Sequence, residues 1–356
     1  MDKLRVAVIG QGRSGRNIHG QFFKSESNTV VKVVTVVELD PERRERALKE
    51  YPGCTVLSDY RELFGRTDLD LVVNATYSEM HYPITLDLLS HGLNVLVEKP
   101  FGRNTFECRT LIKAAKDHGA KLAVFQQTFF APFYRFTREV IESGKLGKLE
   151  QISIRYNGFA RRWDWQTLQK KLAGSVYNTG PHPIGIALGL IDFDPTARVV
   201  FSKIDTAMTS GDGEDFAKII LAAEGKPVID IEINSTDAFS DYNIKLQGTR
   251  GTYLAKQGSY RMKYMVDSEN EARPVIFESL KDADGYPIYC GEKLVTHEEE
   301  GTFEGTAFDV GTKALYENLQ AHIREDAPLN ITNEIAMQII GVIEAVHASN
   351  PLPMKY

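Results

Sequence analysis

Residues 4–15 read LRVAVIGQGRSG: an apolar, β-branched run that meets three glycines spaced G-x-G-x-x-G. The run predicts a buried strand over 4–10, with a helix from about Ser14. Passing from strand to helix within so few residues needs glycine. Gly10 makes the tight turn, Gly12 lets the backbone approach a pyrophosphate, and Gly15 lets helix and strand pack closely. Arg13 and Ser14 open the helix, where unpaired N–H groups suit phosphates. The spacing alone is weak, because glycine is common. A downstream acidic residue sharpens it: Glu38 lies 23 residues beyond Gly15, at the end of the next strand-like run. A carboxylate there accepts ribose hydroxyls and repels a 2′-phosphate, so NAD is expected over NADP. Asp40 reads as a helix N-cap. Arg43 and Arg44 lie near enough to contact a 2′-phosphate but read as a solvated helix face.

The next hundred residues alternate strand-like and helical runs. Strands are expected at 30–39, 54–57, 69–76, 93–99 and 121–127. Helices are expected at 40–51, from 58, at roughly 80–91 and at 105–119. This β-α alternation implies a doubly wound parallel sheet with right-handed crossovers. A helix at about 133–143 and the segment SGKLGK (143–148) form a bridge. Beyond it the pattern becomes a succession of strand candidates, including 227–236, 242–256, 260–266 and 273–279, which fits an open, mostly antiparallel sheet. Two helices close the chain, about 309–324 and 332–348. The fold class is α/β, with a nucleotide-binding unit over 1–127 and a substrate-binding and oligomerisation unit over 128–356.

The formal charge of −6 gives no basic footprint for nucleic acid. Cys54, Cys108 and Cys290 are scattered and odd in number, which disfavours a disulfide framework or a zinc site and fits a cytoplasmic protein. The N-terminus lacks signal-peptide features, and no apolar run approaches the ~18–20 residues that span a bilayer.

Three further motifs stand at informative places. ATYSEMHYP (75–83) succeeds the fourth strand, VEKPFG (97–102) succeeds the fifth, and AGSVYNTGPHPIGIA (173–187) lies in the second unit. Together with GQGRSG, they make the chain resemble the Gfo/Idh/MocA family of NAD(P)-dependent oxidoreductases over nearly its full length. The resemblance implies a Rossmann domain followed by an α/β domain whose open sheet forms subunit contacts, hence a homo-oligomer. It implies oxidation or reduction of a secondary alcohol or carbonyl on a sugar, cyclitol or related compound. It also implies a cis peptide before Pro100.

A hydride leaving a carbinol needs a proton acceptor and a group that stabilises alkoxide character. By resemblance, Lys99 lies near the nicotinamide and the reacting hydroxyl, beside Glu98 on the cofactor side. Pro100 restricts Lys99 to extended geometry. His81 and Thr76 support the cofactor side of the cleft, with helix capping the plainer role for His81. His182 matches the family's catalytic histidine, whereas Asn178 stands where the family usually has Asp. We expect His182 to accept the proton, Lys99 to assist and Asn178 to position substrate. The competing assignment makes Lys99 the base. His19, His297, His322 and His347 have no chemical neighbours in sequence.

In QQTFFAPFY (126–134), Phe129 replaces a common family Arg, which argues against an acidic substrate. Gln127 at the strand end is expected to bond sugar hydroxyls. NGFARRWDWQ (157–166) holds both tryptophans. Trp163 and Trp165 are expected to stack on a sugar or aryl face, with Arg162 bonding hydroxyls; packing of this loop on itself or on another subunit is equally consistent. The substrate class is then a neutral polyol, sugar or glycoside, with C3 of a glucoside favoured and inositol next. An NAD-dependent enzyme that cleaves glycosides by transient oxidation and elimination, and a non-enzymatic NAD sensor, are the competing classes.

Overall fold

The computed structural model describes residues 2–356. The first sheet is parallel, with strands β1 (Leu4–Ile9), β2 (Val31–Val37), β3 (Thr55–Leu57), β4 (Leu71–Asn74), β5 (Val95–Val97) and β6 (Leu122–Val124) in the order β3-β2-β1-β4-β5-β6. Its direction of winding reverses between β1 and β4, and ligands of such sheets bind beyond the strand C-termini at that point. Val6, Val8, Val72, Val73, Val95 and Leu96 are fully buried because helices cover both faces. Those helices include α1 (Gly20–Phe23), α2 (Pro41–Glu50), α3 (Ser78–Ser90) and α4 (Thr105–Asp117).

The bridge is α5 (Pro132–Glu142), started by a proline at its first turn. The second sheet holds β7 (Leu149–Asn157), β8 (Arg198–Asp205), β9 (Phe216–Ala222), β10 (Val228–Asn234), β11 (Ile244–Gly248), β12 (Gly251–Ala255), β13 (Ser259–Tyr264) and β14 (His297–Thr302). Their order is β14-β13-β12-β11-β7-β10-β9-β8, antiparallel except between β7 and β10. Strict alternation in β9 and β10 buries Ala217, Ile219, Leu221, Ile229, Ile231 and Ile233. They face α6 (Ser175–Asn178) and α7 (Pro181–Gly189). The other face carries an ion ladder in which Asp230 takes Arg155 at 2.6 Å and Lys218 at 2.7 Å.

The closing helices, α8 (Thr312–Glu325) and α9 (Asn333–Ser349), return to the first sheet. Tyr316 of α8 packs among Phe22, Phe23 and Phe125. Arg324 holds Asp70 at 2.8 Å, and α9 lies against α4, β6 and α7. No helix among the described residues is long and apolar enough to cross a membrane.

Three expectations differ. Residues 273–279 form no strand, and Val275 and Phe277 are exposed, because no neighbouring strand pairs with them. The helix expected from 58 is one 3-10 turn, Tyr60–Leu63, capped by Asp59. The first helix begins as a π-helix, Arg13–His19, in which the Gly20 N–H reaches back to the Gly15 carbonyl.

Candidate active site

The glycine loop is built for close approach. Gly10 has φ of +92°, and a Cβ there would stand 2.6 Å from the Ala75 carbonyl oxygen. A Cβ on Gly15 would stand 1.9 Å from the Gly10 oxygen, so only glycine fits either position. A Cβ on Gly12 would meet nothing within 4 Å. The open side of Gly12, with the π-helix start at Arg13 and Ser14, leaves room and unpaired N–H groups that fit a diphosphate. Glu38 borders this space. Its carboxylate accepts the Gln11 N–H at 2.7 Å and the Asp40 N–H at 3.1 Å, and the remaining lone pairs suit ribose hydroxyls. Arg43 and Arg44 lie half-exposed on α2, and both also reach the strand end. The first turn of α2 folds back over the strand end, so Arg44 donates to the carbonyls of Glu38 and Leu39, and Arg43 lies 3.7 Å from the Glu38 carboxylate. Asp40 is the N-cap of α2 as expected.

Side-chain braces join the ends of β4 and β5. The Asn74 amide donates to Thr85 and to the His81 carbonyl, while Thr76 donates its hydroxyl to Asn74 at 2.7 Å. His81 is buried inside α3, and its ring spans the Pro100 carbonyl (2.9 Å) and the Thr76 carbonyl (3.2 Å). It thus ties the ATYSEMHYP segment to VEKPFG rather than capping a helix. The Lys99–Pro100 peptide is cis. Glu98 is buried, and its carboxylate accepts the Lys99 N–H at 3.1 Å.

Lys99 extends across the cleft, where Nζ donates to the Asn178 backbone carbonyl at 2.8 Å. Burial lowers its proton affinity foremost; the Glu98 charge opposes this, and Arg13 and Arg162 reinforce it. His182 sits in the first turn of α7, where Pro181 and Pro183 are tolerated because their missing N–H groups have no helical partner. The helix is not continuous with α6: Thr179 and Gly180 separate them. His182 Nδ1 lies 2.7 Å from Thr128 Oγ1. Its Nε2 bonds to none of the described residues. Burial and then the Lys99 charge hold His182 at about 3, against a raising effect of Glu98, so its imidazole is neutral at physiological pH.

The wall around this pair comes from both halves. The Asn178 amide donates to the Gln166 carbonyl at 2.8 Å. Trp165 packs edge-on against Tyr77 at 4.8 Å, and Lys171 lies over the same Tyr77 ring while pairing with Glu79 at 2.5 Å. Trp163 is exposed, and Arg162 pairs with Asp164 at 2.7 Å. Gln127 is buried, and its side-chain oxygen has no partner among the described residues. Phe129, in the place of the family Arg, is a core residue between Tyr134 and Phe193.

Residues 4–126 match the family model described as the oxidoreductase family with NAD-binding Rossmann fold, and residues 134–254 match the GFO/IDH/MocA C-terminal domain. The chain belongs to the Gfo/Idh/MocA family. As a Gfo/Idh/MocA protein it is an NAD-dependent oxidoreductase, and the open side of Gly12 beside Glu38 fits that cofactor. Among curated relatives, the scyllo-inositol 2-dehydrogenase (NADP(+)) IolW of Bacillus subtilis is 23% identical, over 98% of this chain and 94% of its own length. The inositol 2-dehydrogenase of Rhizobium meliloti is 26% identical over 80% of each chain. Among solved structures, GenD2 from gentamicin A biosynthesis in complex with NAD shares the fold, with a TM-score of 0.73 at 18% identity, covering 98% of this chain and 94% of that one.

Several residues of this Gfo/Idh/MocA site are not legible in sequence. Thr128 orients His182 but looks like any threonine after a strand. Glu214 is buried, accepts the Val176 N–H at 2.8 Å and lies 3.4 Å from His347 of α9. Burial would lower the His347 proton affinity, but Glu214 raises it above the ordinary value. Gly174, at φ +114°, is the one available signal for Glu214: a Cβ there would stand 2.4 Å from that carboxylate.

Proposed function

We propose that the enzyme oxidises a ring secondary hydroxyl of a neutral sugar, glycoside or cyclitol, with C3 of a glucoside favoured. The observation that carries this reading is the meeting of Lys99 with the α6–α7 junction, where His182 is held through Nδ1 and its Nε2 has no partner among the described residues. When bound, NAD supplies the hydride acceptor at its nicotinamide. Lys99 keeps two further N–H donors after bonding to Asn178, and one of them holds the substrate oxygen. His182 then takes the hydroxyl proton, assisted by Lys99. With a hydrogen on Nδ1 donated to Thr128, the Nε2 lone pair of His182 is the acceptor. Glu38, Gly12, Arg13 and Ser14 hold the nucleotide, while His81 and Thr76 brace its side of the cleft. Gln127, Asn178, Arg162, Trp163 and Trp165 form the substrate set.

The aromatic pair of Trp165 and Tyr77, and an exposed Trp163 two residues before Trp165 in sequence, support a glycoside whose aglycone stacks on an aromatic face. A cyclitol is the second reading, favoured by the two relatives named inositol dehydrogenases. Incubation with aryl glucosides, free sugars and inositols, with NADH absorbance and product NMR as readouts, tests both. A 3-keto glucoside supports the first reading. Turnover of inositols alone selects the second. Aglycone release without net NADH points to oxidation and then elimination. Self-association through the second sheet is part of the proposal, supported by exposed Val200, Phe201 and Val228; light scattering that finds a monomer refutes it.

A further inference from the structure

We propose that His19 is a positioning residue, which together with Tyr316 holds the Glu98 carboxylate ionised and in place beside Lys99. This rests on the proposed role of Lys99. His19 is fully buried at the last position of the π-helix that continues the glycine loop. Its Nδ1 lies 2.7 Å from the Tyr316 hydroxyl, 297 residues away in sequence. Its Nε2 lies 3.2 Å from Glu98 Oε1, off the axis of a straight hydrogen bond. The surroundings are otherwise aromatic: the Phe125 ring is 4.2 Å from the His19 ring, with Phe23 stacked beyond.

With Glu98 ionised, this chain of three groups runs in one direction. A neutral imidazole then accepts from the buried phenol at Nδ1 and keeps its hydrogen on Nε2, facing Glu98, because the opposite tautomer would set a ring lone pair against the carboxylate and require Glu98 to be protonated. If it is an imidazolium, Nδ1 donates to the phenol oxygen and Nε2 again faces Glu98 with a hydrogen. Either way His19 presents a donor to the carboxylate oxygen that no other side chain serves, while the second oxygen takes the Lys99 N–H. A carboxylate in so apolar a cage is costly unless it is paired. Burial pushes Glu98 toward the neutral acid, yet His19, Lys99 and His81 together hold it down to about 2. The charged and titratable groups around it are these three and Tyr316, which itself faces Tyr51; Arg13, Arg162 and His182 face Lys99. Glu98 is the only anion acting on Lys99 among them. The two ends of the π-helix therefore serve the two halves of the site: Arg13 and Ser14 face the nucleotide, and His19 secures the anion beside the lysine.

The test uses His19→Leu, His19→Gln and Tyr316→Phe in the full-length chain. In His19→Leu, Glu98 takes up a proton near neutral pH. A protonated-carboxyl stretch then appears in the infrared spectrum of the apoenzyme, and adding Glu98→Gln removes it. With the anion lost, the Lys99 limb of the kcat–pH profile moves to lower pH by about one unit or more. NADH affinity by fluorescence stays within about threefold, since no nucleotide contact is removed. His19→Gln, whose amide can donate to Glu98, returns both the spectrum and the limb toward wild type. Tyr316→Phe shifts the limb in the same direction by less, and serves if His19→Leu fails to fold. An unchanged infrared spectrum in His19→Leu, or an unmoved limb in both His19→Leu and Tyr316→Phe, overturns the proposal. A wild-type enzyme that turns over no polyol overturns the reading of Lys99 instead, and the infrared result still decides the role of His19.

Discussion

Lys99 and Asn178 meet through the main chain: the ammonium donates to the Asn178 carbonyl at 2.8 Å, while the Asn178 amide donates to the Gln166 carbonyl. The family's usual Asp is thus replaced by a residue that adds no charge beside the lysine. The nearby anion is Glu98, one residue away in the chain.

Asn178→Asp restores the family pattern and supplies a second anion. It should raise the proton affinity of both Lys99 and His182, moving the kcat–pH profile upward by about one unit. The lost bond to Gln166 should cost about 1 kcal/mol in denaturant unfolding. An unmoved profile would show that the side chain lies too far from the pair to act on it.

Lys99→Ala and His182→Ala should each lower kcat by about 10²–10⁴-fold while leaving NADH affinity near wild type. The pH profile of the weaker variant identifies the proton acceptor. Stability carries a separate signature. Unfolded His182 binds a proton near pH 6.5, and the folded ring binds one only near pH 3. Between those values the unfolded chain holds more protons, so stability falls as pH falls. His182→Gln should flatten that acid limb in urea titrations.

Glu38→Ala should lower kcat/KM for NAD about 10- to 100-fold, through loss of ribose contacts and of the acceptor for Gln11. The same change should raise kcat/KM for NADP, with Arg43 freed from its anionic neighbour. Wild type should prefer NAD; comparable values for the two nucleotides would contradict the role of Glu38.

Gly174→Ala should destabilise the fold by about 1–3 kcal/mol, because it forces a side chain into a positive-φ position against Glu214. Glu214→Gln weakens the pair with His347. His347 binds its proton more tightly folded than unfolded, so this pair contributes fully below pH 6.5, and the contribution fades as pH rises through the folded value. The stability difference between wild type and Glu214→Gln should therefore shrink on going from about pH 6 to about pH 9. A constant difference would assign Glu214 a purely geometric role at the α6 start.

Local chemistry is legible wherever the cause lies within a few residues. The glycine loop, the Asp40 cap, the parallel strands and the alternation of β9 and β10 derive from spacing and side-chain type. Residues whose partners are distant are not legible. His19 has no informative neighbour in sequence, yet its contacts are Tyr316 and Glu98. Thr128 gains its meaning only once α7 brings His182 to it. Residues 273–279 alternate like a strand but lack a strand to pair with. The π-helix reads as an ordinary helix in sequence, because its register depends on the Gly20–Gly15 bond and not on composition.

The return of α8 and α9 to the first sheet bears on how this protein can be recombined with its relatives. Tyr316 closes the aromatic cluster of Phe22, Phe23 and Phe125, and Arg324 neutralises Asp70 at the base of β4. A chimera that exchanges only the amino-terminal half would set a foreign sheet against a native lid. The transferable cassette is discontinuous, and the last two helices must travel with the glycine loop.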